Sequence, residues 1–190
     1  MSRKILYQTL KDYDNAQEVR SDGPFICESD DAWLGHGYYF WDTFEHLSHW
    51  WGKVKMNGSY IVCRAECDFN TKECFDLVGE PEHMDLFGSI IDLMRSEGLI
   101  DDETTTVSDI FYYLKNTLNI FDYSSSRVIG VNSISPNKNP EYTYRMILEP
   151  SNKKQFIDYR PPIQLCLYEK NSLGLKDYDI VFPEKYKNAI

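Results

Sequence analysis

Hydrophobic and polar positions alternate with period two over "SYIVCRAECDF", residues 59–69, which places Ile61, Cys63, Ala65, Cys67 and Phe69 on one face of an expected strand. Shorter runs predict further strands at "KILYQT" (4–9) and "GYYFW" (37–41), and at "RVIGVNSI" (127–134), "YTYRMILE" (142–149), "KQFIDY" (154–159) and "IQLCLYE" (163–169). Between them the period lengthens. Met84, Phe87, Ile90, Ile91 and Met94 recur at helical spacing from Glu82 to Glu97, and Val107, Ile110, Phe111, Leu114 and Leu118 repeat the pattern after a Thr106-x-x-Asp109 start. A short helix is expected from near Asp14. Asp42 with Glu45 resembles an acidic capping box, opening a helix that Gly52 would close.

The expected order is strand, helix, strand, helix, strand, two helices and then several strands. Strands gathered towards the end indicate α+β rather than a regularly alternating α/β chain. A length of 190 residues fits one domain, 1–190, with a helical insertion at about 82–118. That insertion offers a lid for a site or a surface for a protein partner.

A formal charge of −10 without a Lys/Arg cluster repels phosphate backbones, so nucleic acid is a poor partner. No segment approaches the ~20 apolar residues of a membrane span, and the N-terminal apolar run is too short for a secretion signal. A cytoplasmic protein is expected. The odd count of five cysteines argues against a disulfide framework, and Cys63 and Cys67 read as core. No metal is expected: Cys63 and Cys67 lack a second ligand pair, and His46 and His49 lack the acid and third ligand of a zinc site.

The stretch "WLGHGYYFWDTFEHLSHWWG" concentrates the candidate chemistry. Gly35 and Gly37 bracket His36 and allow a close backbone approach, yet the third glycine of a dinucleotide fingerprint and the lysine of a phosphate loop are both missing. On the strand that follows, Tyr39 and Trp41 share one side and Tyr38 and Phe40 the other. One side packs the core; the other either packs too or presents an aromatic face to a ligand.

"GHGYYFWD" resembles the Gly-x-Gly-x-Tyr-Phe signature of ADP-ribosyltransferases of the diphtheria-toxin and poly(ADP-ribose) polymerase branch. "LYQT" is similar to the Tyr-His-Gly-Thr strand that opens such folds, and "IQLCLY" to the strand bearing their catalytic glutamate. The three segments occupy about a tenth of the chain in the family's order. The string also looks like small bacterial proteins of this fold, some from toxin–antitoxin or phage-defence systems. The resemblance implies a split, mixed or antiparallel sheet, NAD as substrate without a metal, and transfer of one ADP-ribose to an unidentified acceptor. Tyr39 takes the stacking tyrosine, with Trp50 opposite it, and Gly35, His36 and Gly37 form the approach. Gln8 replaces the ribose-binding histidine, flanked by Tyr7 and Thr9, and Gln164 replaces the catalytic glutamate.

The two glutamines matter chemically. An amide still hydrogen-bonds a ribose hydroxyl but supplies no charge. A carboxylate ~4 Å from the developing oxocarbenium is worth roughly 4 kcal/mol at an effective dielectric near 20, or about a thousandfold in rate. The substitutions therefore disfavour polymer elongation and leave two readings: a mono-ADP-ribosyltransferase, or a catalytically silent NAD- or ADP-ribose-binding or protein-interaction module.

Overall fold

The computed structural model describes residues 2–130, 144–148 and 155–187. Strand β1 (Ser2–Lys11) leads into helix α1 (Ala16–Asp22), then β2 (Tyr38–Asp42), α2 (Glu45–Lys55), β3 (Tyr60–Phe69) and β4 (Cys74–Asp76). Helices α3 (Pro81–Ser96) and α4 (Val107–Tyr112) follow, the latter running into a π-turn at Tyr113–Thr117. The remainder is β5 (Ser125–Ile129), β6 (Arg145–Ile147), β7 (Phe156–Asp158), β8 (Ile163–Leu167), a 3-10 turn at Ser172–Gly174, β9 (Lys176–Phe182) and α5 (Glu184–Lys187). The class is α+β. Parts of the expected strands at 127–134, 142–149 and 154–159 lie outside the described residues.

Seven strands form one mixed, mostly antiparallel sheet in the order β4-β5-β8-β2-β1-β3-β9, with β4 and β5 its parallel pair, while β6 and β7 make a separate hairpin. The period-two pattern of β3 sorts as expected: Ala65, Cys67 and Phe69 join Leu6, Phe40 and Leu165 in one core cluster, and Ile61 and Cys63 join Val19 of α1 and Ile180 of β9 in another. On the opposite face, α2 covers Tyr7, Trp41 and Val62 through Leu47 and the flanking Trp50 and Trp51. Further along that face, α3, α4 and the π-turn bury Met94, Ile110, Phe111 and Leu114 against Leu34, Phe75 and Cys166. Burying these apolar faces supplies the main drive for the layers to close. Among the described residues no helix is long and apolar enough to cross a membrane.

Two expected signals have other uses. Helix α2 starts at Glu45 behind Phe44, without a side-chain cap. Asp42 is instead buried as a counter-ion, accepting from Arg127 Nε at 2.7 Å and facing Lys4 Nζ at 3.1 Å. Arg127 Nη1 also donates to Asp76 at 3.1 and 3.2 Å, so two cations and two carboxylates balance inside the sheet. Gly52 does not end the helix, which continues to Lys55; a Cβ there would lie 2.2 Å from the Tyr60 ring. By contrast, Thr106 and Asp109 make the full reciprocal capping box at the start of α4.

Candidate functional site

Strands β1 and β2 pair only at Leu6↔Asp42 and Tyr7↔Trp41, and then diverge. The segment around Phe25–Cys27 enters the gap, forming a bridge between Cys27 and Gly37. The divergence opens a cavity of about 520 Å³. Its walls are the end of β1 (Gln8, Thr9, Leu10), the loop residues Phe25–Cys27 and Ser29, Asp31 and Trp33, the middle of β2, the end of α2 (Trp51, Lys55, Met56), and Gln164 on β8. Mostly apolar walls with a few polar groups suit a small ligand with a flat ring.

The sequence-selected residues separate into those that face this cavity and those occupied elsewhere. Gln8 borders it but is saturated. Its Nε2 donates to Phe25 O at 2.9 Å and Tyr39 O at 3.4 Å, while its Oε1 accepts from Phe25 N–H at 3.1 Å and Tyr178 O–H at 2.8 Å. Its amide thus docks the Phe25 peptide as a neighbouring strand would, pinning the loop into the split. Thr9 lines the cavity and donates its hydroxyl to Ser48 O at 3.1 Å, keeping its oxygen available as an acceptor. Tyr7 is buried beside Trp41 and Leu47, and lies outside the lining. Burial, then the nearby Glu45 carboxylate, raises its phenol above the usual range.

Tyr39 borders the cavity, yet its ring packs in the cluster under α4 and its hydroxyl closes the preceding loop, accepting from Leu34 N–H at 2.8 Å and donating to Gly35 O at 2.7 Å. Burial raises its pKa. Gly35 adopts a left-handed φ of +81°. Gly37 makes the close approach its type allows, but to β8: an added Cβ would sit 2.4 Å from Cys166 Sγ and 2.7 Å from Leu167 O. Trp50 packs edge-on against Trp41, at 6.2 Å between ring centroids, away from Tyr39. The tyrosine–tryptophan sandwich is therefore not assembled here. His36 is exposed and borders a second cavity.

Gln164 stands opposite Trp41 on β2 and Val128 on β5. Its side chain shares the face of Tyr39 and Trp41 by strand parity, opposite to Gln8. Its buried carboxamide oxygen has no hydrogen-bond partner among the described residues. An unpaired buried acceptor costs about 1–3 kcal/mol, which a donor would recover once a small turn of the Gln164 side chain brought this oxygen to the cavity that the residue lines.

Besides Tyr39 and Phe40 of β2, the cavity's aromatic lining is Phe25, Trp33, Trp41 and Trp51. Trp41 and Trp51 meet at 6.0 Å with planes 60° apart, and Trp33, 47% exposed, lies against the backbone of Gly130. Sequence reasoning centred on Tyr39 missed three of these. Trp33 immediately precedes the glycine loop, while the choice between Trp50 and Trp51 turns on the register of α2.

Neither helical histidine belongs to the cavity. His49 Nδ1 lies 3.0 Å from Tyr60 Oη, and His46 packs at 4.4 Å against the ring of Tyr144. Burial, followed by the Arg160 charge, lowers the His46 pKa to about 4. No family model matches the chain, and no curated protein or solved structure matches it either.

Proposed function

We propose that the chain binds NAD in the cleft where β1 and β2 part, with the fold of an ADP-ribosyltransferase, and transfers a single ADP-ribose to an acceptor. The observation that carries this reading is the aromatic-walled cavity at the sheet's split, which Gln164 helps to line and beside which its buried oxygen is left unpaired. Trp51 and Trp33 offer ring faces to the nicotinamide, Thr9 accepts from a ribose hydroxyl, and Gln164 accepts from the hydroxyl beside the bond that breaks. Gln8 serves by holding the Phe25 loop, which is the cavity wall, rather than by touching the sugar. Bond cleavage leaves positive charge on the ribose, nicotinamide departs with the bonding pair, and the acceptor's nucleophile takes its place.

A second reading has specific support. Gln8 is saturated and Gln164 carries no charge, so the same cleft would recognise NAD or ADP-ribose without turnover. Calorimetry with NAD, followed by measurement of nicotinamide release, separates the two. Binding at 100 times the dissociation constant should stabilise the fold by about 2.7 kcal/mol, a rise in Tm of roughly 5 °C or more. Trp51→Ala should weaken binding at least tenfold. Gln164→Glu should raise nicotinamide release by about two to three orders of magnitude if that strand faces the reacting carbon. Saturable binding without release in either protein supports the recognition module; no binding at millimolar NAD overturns both readings.

A further inference from the structure

A second cavity, of about 540 Å³, opens on the other side of the 29–36 loop. Leu34, Gly35, His36, Ser108 and Phe111 form much of its wall, and Lys115 closes one side. Lys115 stands on the π-turn that extends α4, a local widening of the helix often found where a side chain is re-aimed for function. Its Nζ lies 2.7 Å above the Tyr168 ring centroid and 5.0 Å from that of Phe121. Among the described residues it has neither a carboxylate nor a hydrogen-bond acceptor.

We propose that Lys115 is a carbonyl-reactive amine, and that the cavity it borders admits small aldehydes or ketones that it captures as a reversible imine. In this step the Nζ lone pair bonds to the carbonyl carbon, and the C=O π pair moves to oxygen, which takes a proton. The carbinolamine then expels its hydroxyl as water while Nζ loses its proton, leaving C=N; hydrolysis reverses it. Ser108 and His36 stand on the cavity wall to pass those protons.

Burial makes the amine available. It lowers the Lys115 pKa to about 7, against the smaller opposing effect of Cys166. With its pKa lowered to about 7, a far larger share of Lys115 is unprotonated at pH 7 than the roughly one in three thousand of an exposed lysine. The Tyr168 and Phe121 ring faces under Nζ favour the ammonium and work against burial, but the ionisable groups around it do not restore the charge. Tyr168 and Cys166 on the β8 side and Tyr39 on β2 are all held protonated by burial. The Asp109 carboxylate is engaged by Thr106 N–H at 2.8 Å, and Asp30 and His36 border the cavity from the loop.

Propanal with cyanoborohydride, which reduces the imine to a stable secondary amine, tests the assignment on the intact protein when labelled lysines are mapped by peptide mass spectrometry. At pH 7, Lys115 should be alkylated at least tenfold faster than exposed Lys55 and Lys72. Its rate should level off above about pH 7.5 while theirs keep rising to pH 10. Lys115 labelling no faster than the exposed lysines, or climbing with them through pH 10, overturns the proposal. Both readouts come from the unaltered chain, so no variant need fold.

Discussion

Two glutamines of one chemical type have opposite fates, and the difference lies in the backbone each one meets. Gln8 faces the peptide of Phe25 and satisfies both its N–H and its C=O, whereas Gln164 lines the cavity and keeps a buried oxygen unpaired. Gln8→Leu keeps most of the side-chain volume but strands both Phe25 groups and the Tyr178 hydroxyl. With about 1–3 kcal/mol for each buried group left unsatisfied, and partial relief from water entering the cleft, the expected loss is about 3 kcal/mol. Urea unfolding would show it as a lower midpoint, and hydrogen exchange should quicken at Phe25. A midpoint within the scatter of wild type would show that Gln8 does not hold the loop. No local pattern distinguishes these roles: both residues occupy strand positions, and only the loop from 25 to 27, folded into the gap, assigns one to structure.

Among elements, the helices were more legible than the edge strands because their signals are local. The apolar spacing of α3 and the Thr106–Asp109 box both act within a few residues, and the boundaries follow them closely. Strand β4, three residues long, exists through its parallel pairing with β5, some fifty positions away. Strand β9 carries Lys176, Asp177 and Asp179 at the sheet's edge, a composition that discourages further pairing and hides the strand from a hydrophobic reading. Asp42 shows the converse error: an acid three residues before a helical glutamate had the spacing of a cap, but Arg127 lies 85 positions distant and claims it. The "GHGYYF" motif was legible as a place of close approach, while the partner being approached was β8. Gly52 gives this scale its prediction. Alanine at an open helical site gains about 1 kcal/mol, but here the added methyl meets Tyr60 ring atoms at 2.2, 2.4 and 2.5 Å, and overpacking costs about 1–3 kcal/mol. Gly52→Ala should therefore lower stability by up to about 2 kcal/mol in denaturant titration; a gain would mean that α2 and β3 separate more readily than their packing implies.

For the whole molecule, the buried ionisable groups set how stability varies with pH. The folded chain holds His46 neutral, with a pKa lowered chiefly by burial to about 4 from 6.5 in the unfolded chain. This contribution is complete above pH 6.5 and is lost as the pH falls towards 4, by about 2 kcal/mol once solvent screening of the partly exposed ring is allowed for. The buried thiols act in the other direction. Burial pushes Cys63, Cys67, Cys74 and Cys166 up to about 12 from 9, so the unfolded chain releases these protons first and each thiol withdraws about 1 kcal/mol by pH 10. Lys115, with its folded pKa lowered to about 7 from 10.5, favours folding increasingly between those values, one group against four above pH 9. These opposing contributions place the maximum near pH 8. Thermal melts under reductant should show Tm falling from pH 8 to pH 5 and again from pH 9 to pH 10. His46→Leu should flatten the fall below about pH 6.5, while leaving in place the alkaline side and the part between pH 8 and pH 7 that Lys115 contributes. A Tm that stays level from pH 6.5 to pH 5 in the unaltered protein would show that the His46 ring is not held neutral against Tyr144 and Arg160.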